Sequence, residues 1–298
     1  MIQQLSTLIG KAYDIFMLDN RARRFTPKTM EFYRCQLQPF FCWCTMHGVD
    51  RLQDVTPSLI RSYLVSLQDR ELSDCSINAG ARAIRAFCNF CVREELIDRS
   101  PMAKVSMPRI SKRILPAFSA DEVRKLLEAC GTVRDKAIVL FLLDTGCRAS
   151  ELIALTGADV DTDSGEVYIR QGKGRKDRTT YLGVKSRRYL LRYYLCRQTP
   201  LAHAPLWLNE KTDEPLTVSG LNQLLKRLGW RAQIKHCSPH TFRRTFALWS
   251  LRNGMNIYVL ARLMGHADIT VLRQYLPLIE NDLQEAHAKF GAVDNLFG

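Results

Sequence analysis

No apolar run in this chain approaches the roughly 20 residues that a helix needs to cross a bilayer. IVLFLL, from Ile138 to Leu143, is far shorter, so no membrane partner is expected. The opening residues, MIQQLSTLIGKAYDIF, carry neither the positive n-region nor the small-residue cleavage site of a secretory signal. A reducing, cytoplasmic setting follows as the expectation. The ten cysteines lack the dense spacing of a disulfide framework and fit small buried apolar residues. Cys42 with Cys44 and Cys88 with Cys91 invite a zinc reading, but the second pair lies on an apolar helical stripe where buried thiols are ordinary. No carboxylate stands at ligand spacing from His236, His240 and His266, which disfavours a metal-dependent hydrolase. Nor is there a phosphate-cradling P-loop, because no Ser or Thr follows the lysine of GKGRKDR. Neither a metal nor a cofactor is expected.

What is present is a chain of 298 residues, enough for one large domain or two smaller ones. A chain of that length buries roughly 75% of its unfolded surface and needs no staple to fold. Its 46% hydrophobic and 24% charged residues are those of a globular protein. Lys and Arg number 43 against 30 for Asp and Glu, a formal charge of +13 that favours a polyanionic partner, nucleic acid first.

The patterning predicts a mainly α protein. Residues 1 to about 105 read as all-helical. Leu5, Leu8, Ile9, Ala12, Tyr13 and Phe16 recur at helical spacing, and Thr26-Pro27 and Thr56-Pro57 are start signals for two further helices. Pro39 is expected to kink or end the second of these, with Phe40, Phe41 and Trp43 as core. A fourth helix presents Ile84, Phe87, Cys88, Cys91 and Val92 on one face. Residues 106–116, SMPRISKRILP, read as an extended basic linker.

Residues 117–298 read as mixed but mostly helical. Ser119 and Glu122 make a capping box, and an apolar helix from Lys136 to Asp144 is broken by Gly146 just ahead of Arg148. Strand chemistry is confined to GEVYIRQGKGRKDRTTYL, a β-hairpin with Val167 and Ile169 before the tip and Thr179 and Tyr181 after it, Lys173 sitting at the tip. Helices follow from Ser186 to Cys196 and Ser219 to Trp230. A helix then opens at His240 and ends at Gly254, and another from Ile257 to Met264 is ended by Gly265. The next carries Tyr275.

The chemistry concentrates in Ser238 to Tyr275. Arg243 lies one turn after His240 on the same face, so both can address one ligand. Arginine offers a permanently charged planar fork of donors suited to two phosphate oxygens, and histidine adds a donor that can move a proton. Tyrosine, with a pKa of about 10, attacks poorly near neutral pH unless cations favour the phenolate. A lysine at a hairpin tip could protonate the leaving oxygen.

Arg148 in TGCRASE, Lys173 in GKGRKDR, His240 and Arg243 in HTFRR, His266 in LMGH and Tyr275 nine positions later together resemble the tyrosine recombinase, or phage integrase, family, of the simple two-domain Xer-like type. The helical first region resembles that family's core-binding domain. The resemblance implies that Tyr275 attacks a DNA phosphate to give a 3′-phosphotyrosyl link and a free 5′-hydroxyl. Arg148 and Arg243 would clamp the phosphate, Lys173 would protonate the leaving oxygen, and His240 and His266 would assist. Glu151 matches the acidic residue after the first arginine, in an orienting role.

The resemblance further implies metal-independent strand exchange by a homotetramer on double-stranded DNA with inverted half-sites, for integration, excision or dimer resolution. The length favours a two-domain enzyme without an added arm-binding domain. The tail from Leu278, with Leu283, Ala286 and Phe290 on one face, either docks on a neighbouring protomer or packs on its own domain. Arg244 stands where many relatives have His, altering a backbone phosphate contact, and Met264 stands where leucine is common. The alternatives are a type IB topoisomerase-like nicking and resealing enzyme and a catalytically silent DNA-binding protein.

Overall fold

The computed structural model describes residues 8–111, 117–170, 177–197 and 202–265. The chain divides into two compact units, residues 1–113 and 114–298.

In the first unit, α1 (Ile9–Ala22), α2 (Pro27–Met46), α3 (Pro57–Asp69) and α4 (Asp74–Arg93) surround one apolar core. The two Thr-Pro signals work as read: the hydroxyls of Thr26 and Thr56 accept the amides of Thr29 and Leu59 at 3.2 Å, and each proline occupies the first turn, where no amide is needed. Phe16, Leu37, Phe40, Ile60, Ile84 and Phe87 fill the centre, and Phe16 meets Tyr33, Phe87 and Phe90 edge-on. Cys44, Cys88 and Cys91 are buried there, and burial pushes their thiols up to about 12, so they act as small apolar groups.

Pro39 does not end α2, which runs seven residues further, to Met46. Its ring is exposed, and the buried Leu37, Phe40 and Cys44 keep the helix seated on the core despite the missing hydrogen bond. Beyond α4, residues 106–111 are non-helical but fastened: Asn78 donates to the Pro108 carbonyl at 2.8 Å, and the Asp74 carboxylate accepts the Ser111 hydroxyl at 2.6 Å. The first half of the stretch read as a linker therefore lies along α4.

In the second unit the helices are α5 (Ala120–Ala129), α6 (Val133–Thr145), α7 (Ala149–Ala154), α8 (Val184–Cys196), α9 (Val218–Arg231), α10 (Pro239–Arg252) and α11 (Ile257–Met264). Ser119 and Glu122 close the capping box at the head of α5. The core gathers around Leu126, Ile138, Phe141, Leu142, Trp207 and Phe242, and a smaller cluster of Ala247, Leu251, Leu260, Ala261 and Met264 joins α10 to α11. Phe118 is tied to α10 twice: its amide donates to Thr245 at 2.8 Å, and its carbonyl accepts the Trp249 indole at 3.0 Å.

The hairpin consists of β1 (Glu166–Ile169) and β2 (Arg178–Tyr181), antiparallel. Its register sets which residues of the second strand face inward. Val167 pairs with Thr180 and Ile169 with Arg178, and residues directly opposite share a face. Val167, Ile169 and Thr180 are buried, whereas Tyr181 is 52% exposed. Arg178 thus enters the inward row, opposite Ile169.

Among the described residues, no helix is long and apolar enough to cross a membrane. Nor does any group of three His, Cys, Asp or Glu side chains among them have the arrangement to hold a metal ion.

Candidate active site

Helix α6 stops at Gly146 in the left-handed conformation, φ 55°. A Cβ at Gly146 would stand 2.9 Å from Cγ of Phe246, so both backbone and packing require glycine there. The reversal delivers the buried Cys147 and then Arg148, the residue immediately before α7. The Glu151 carboxylate turns back on it, accepting the Arg148 amide at 2.7 Å and its Nη1 at 2.6 Å. Arg148 keeps 20% of its side-chain surface exposed, and Glu151 4%.

Arg178 occupies the other side of that carboxylate. Its Nη1 donates to Oε1 at 2.9 Å, its Nη2 to Oε2 at 2.7 Å, and its Nε to the Leu263 carbonyl near the end of α11 at 2.8 Å. Burial alone would raise the Glu151 pKa, but hydrogen bonds and charge from Arg178, together with the bonds from Arg148, outweigh it and bring the carboxyl down to about 2.

Arg243 completes the group. It is buried, and its Nη1 and Nη2 donate at 2.6 Å to the carbonyls of Gly146 and Met264, the ends of α6 and α11. Those carbonyls sit at negative helix termini, which favour a cation. Burial first, and then repulsion from Arg148 and Arg178, lower its pKa to about 10, with Glu151 opposing, so it stays charged near neutrality. The site is a cationic nest of three arginines around one ionised carboxylate, a charge arrangement matched to an anion such as a phosphodiester.

Of the six residues named from sequence, Arg148 and Arg243 are brought together here. His240 is exposed in the first turn of α10, one turn before Arg243. Lys173, His266 and Tyr275 lie outside the described residues, as does the tail from Leu278. Arg178 begins the strand after the lysine segment, five positions beyond Lys173, and Gly265 immediately precedes His266. Glu151, expected in an orienting role, lies against both Arg148 and Arg178. Arg178 was missed, because the register that sets it opposite Ile169 is fixed only in the folded hairpin. Arg244 turns back on its own helix, donating to the Thr241 hydroxyl at 3.2 Å.

Known proteins place this geometry. Residues 116–281 match the model of the phage integrase family, and residues 17–95 match the phage integrase N-terminal SAM-like domain. The chain is 28% identical over 300 residues to the tyrosine recombinase XerC of Oceanobacillus iheyensis, covering 97% of both chains. It is 31% identical over 248 residues to the tyrosine recombinase XerD of Halalkalibacterium halodurans, covering 80% of this chain and 82% of that one. The fold is similar to that of a lambda integrase dimer bound to a core site, with a TM-score of 0.77 at 17% identity, covering 91% of this chain and 78% of that one. The chain belongs to the phage integrase family and is a tyrosine-type site-specific recombinase, an enzyme that cuts and rejoins DNA.

Proposed function

We propose that Tyr275 is the nucleophile of this recombinase and that Arg148 and Arg243 clamp the scissile phosphate. The observation that carries the reading is the union of two arginines 95 positions apart (243 − 148 = 95) in one buried cationic nest. The Tyr275 oxygen bonds to phosphorus as the bond to the 5′ oxygen of the next nucleotide breaks, leaving a 3′-phosphotyrosyl link. Lys173 gives its proton to the departing 5′ oxygen. Arg148 and Arg243 stabilise the charge that builds on the non-bridging oxygens, and His240 and His266 hydrogen-bond and move protons there. The phosphodiester's energy is kept in the covalent link, so a free 5′-hydroxyl reverses the step without ATP or a metal ion.

Residues 1–105 serve as the core-binding domain, 106–116 as the basic linker and 117–298 as the catalytic domain. DNA is the partner, and four protomers act on inverted half-sites in the cytoplasm, each supplying one site for the four strands of two duplexes.

Trapping on a nicked suicide substrate tests the nucleophile. Tyr275→Phe binds the same DNA within a few-fold of wild type and yields no protein-linked strand. Cleavage by that variant would remove Tyr275 from the role. Two-site recombination against relaxation of a supercoiled plasmid separates a recombinase from a topoisomerase-like enzyme.

A further inference from the structure

Every acceptor position of the Glu151 carboxylate is filled. Oε1 takes Nη1 of Arg148 and Nη1 of Arg178, while Oε2 takes the Arg148 amide and Nη2 of Arg178, all within 2.6 to 2.9 Å. Four donors on two oxygens saturate an ionised carboxylate. The two arginines differ in what else they can reach. Arg178 is only 7% exposed, too deep to touch DNA, whereas Arg148 is 20% exposed.

Charge decides what Arg178 does. Arg148 and Glu151 alone would form a neutral pair, and a buried carboxylate with vacant acceptor positions would draw further donors of Arg148 onto itself. With Arg178 present the trio carries a net positive charge and the carboxylate has no position left to fill. The third donor of Arg178 is spent on Leu263, one residue before the carbonyl that holds Arg243. Gly265 makes that reach possible: a Cβ there would lie 2.9 Å from Cδ and 3.0 Å from Nη1 of Arg178.

We propose that Arg178 is a positioning residue for the phosphate clamp. It occupies Glu151 so that Arg148 keeps its charge for the DNA phosphate, and through Leu263 it fixes the end of α11 on which Arg243 depends.

The inference rests on Arg148 and Arg243 being the clamp, and the test keeps the two claims apart. Single-turnover cleavage of a nicked suicide substrate is measured for Arg178→Gln, Glu151→Gln, the double variant and Arg148→Ala, with DNA affinity and melting recorded for each. Arg178→Gln is expected to cleave on the order of 10²-fold more slowly at near-normal DNA affinity, as for loss of one stabilising donor. Adding Glu151→Gln, which removes the carboxylate charge that captures Arg148, is expected to return about 10-fold or more of that rate.

The second substrate carries a methylphosphonate, a methyl group in place of one charged non-bridging oxygen at the scissile position. There the deficit of Arg178→Gln shrinks, because less charge needs neutralising, whereas a packing defect would persist equally on both substrates. Wild-type cleavage by Arg178→Gln, an equal deficit on both substrates, or a double variant no faster than Arg178→Gln overturns the inference. Unimpaired cleavage by Arg148→Ala would instead overturn the clamp itself. Should Arg178→Gln fail to melt cooperatively, Arg178→Lys decides: it keeps the charge and should cleave within about 10-fold of wild type. A loss as complete as that of Tyr275→Phe would refute the role.

Discussion

Replacing Glu151 with glutamine keeps the size of the side chain and removes the negative charge at the centre of the arginine nest. The magnitude follows from the carboxyl's depression from its ordinary 4.5 to about 2. At about 1.4 kcal/mol per pKa unit, the ionised form adds about 3 kcal/mol to the folded state. The side chain is 4% exposed, so solvent screening takes little from this. The sign is set by the direction of the shift. A carboxyl with a lowered folded pKa contributes in full above its unfolded value and loses that contribution as pH falls through the window from about 4.5 to about 2. Urea unfolding followed by tryptophan fluorescence suits the measurement, because Trp207, Trp230 and Trp249 belong to the second unit and only Trp43 to the first. Glu151→Gln should be less stable by about 3 kcal/mol at pH 7, with more than half of that difference gone by pH 3. A difference that stays constant from pH 7 to 3 would refute an ionised Glu151 held by its two arginines.

Gly146→Ala should combine a left-handed penalty of about 1–2 kcal/mol with an overlap on Phe246 of about 1–3 kcal/mol. The second unit should then melt roughly 5–15 °C lower, and calorimetry showing no change would contradict the described turn. Pro39→Ala restores an amide donor to the Cys35 carbonyl in an exposed stretch of α2 and should stabilise the first unit by about 1–3 kcal/mol, after allowance for the freer unfolded chain. A less stable variant in denaturant titration would mean that the ring serves a packing purpose.

Much of the fold was readable because its signals are local. Thr26-Pro27, Thr56-Pro57 and the Ser119–Glu122 box open helices where expected, and Gly146 and Gly265 adopt the left-handed turns that close theirs. Pro39 does not end its helix because its cost is local while the compensation, Leu37, Phe40 and Cys44 in the core, is tertiary. The inward face of the hairpin was not readable for a related reason: alternation within one strand leaves open which parity faces inward until the partner's register is fixed. Arg148 and Arg243 were legible because their neighbours resemble a known pattern. Arg178 was hidden, since its importance arises only when a carboxylate 27 positions earlier and a carbonyl 85 positions later converge on it.

The two carbonyls that hold Arg243 have a consequence for the life of the chain. One belongs to residue 146 and the other to residue 264, on either side of Arg243 in synthesis order. A ribosome-bound chain that has not yet released Met264 has an arginine with half its anchorage. The three arginines of the nest are therefore all made before the second carbonyl that holds Arg243, so the nest can close only once Met264 has followed them out.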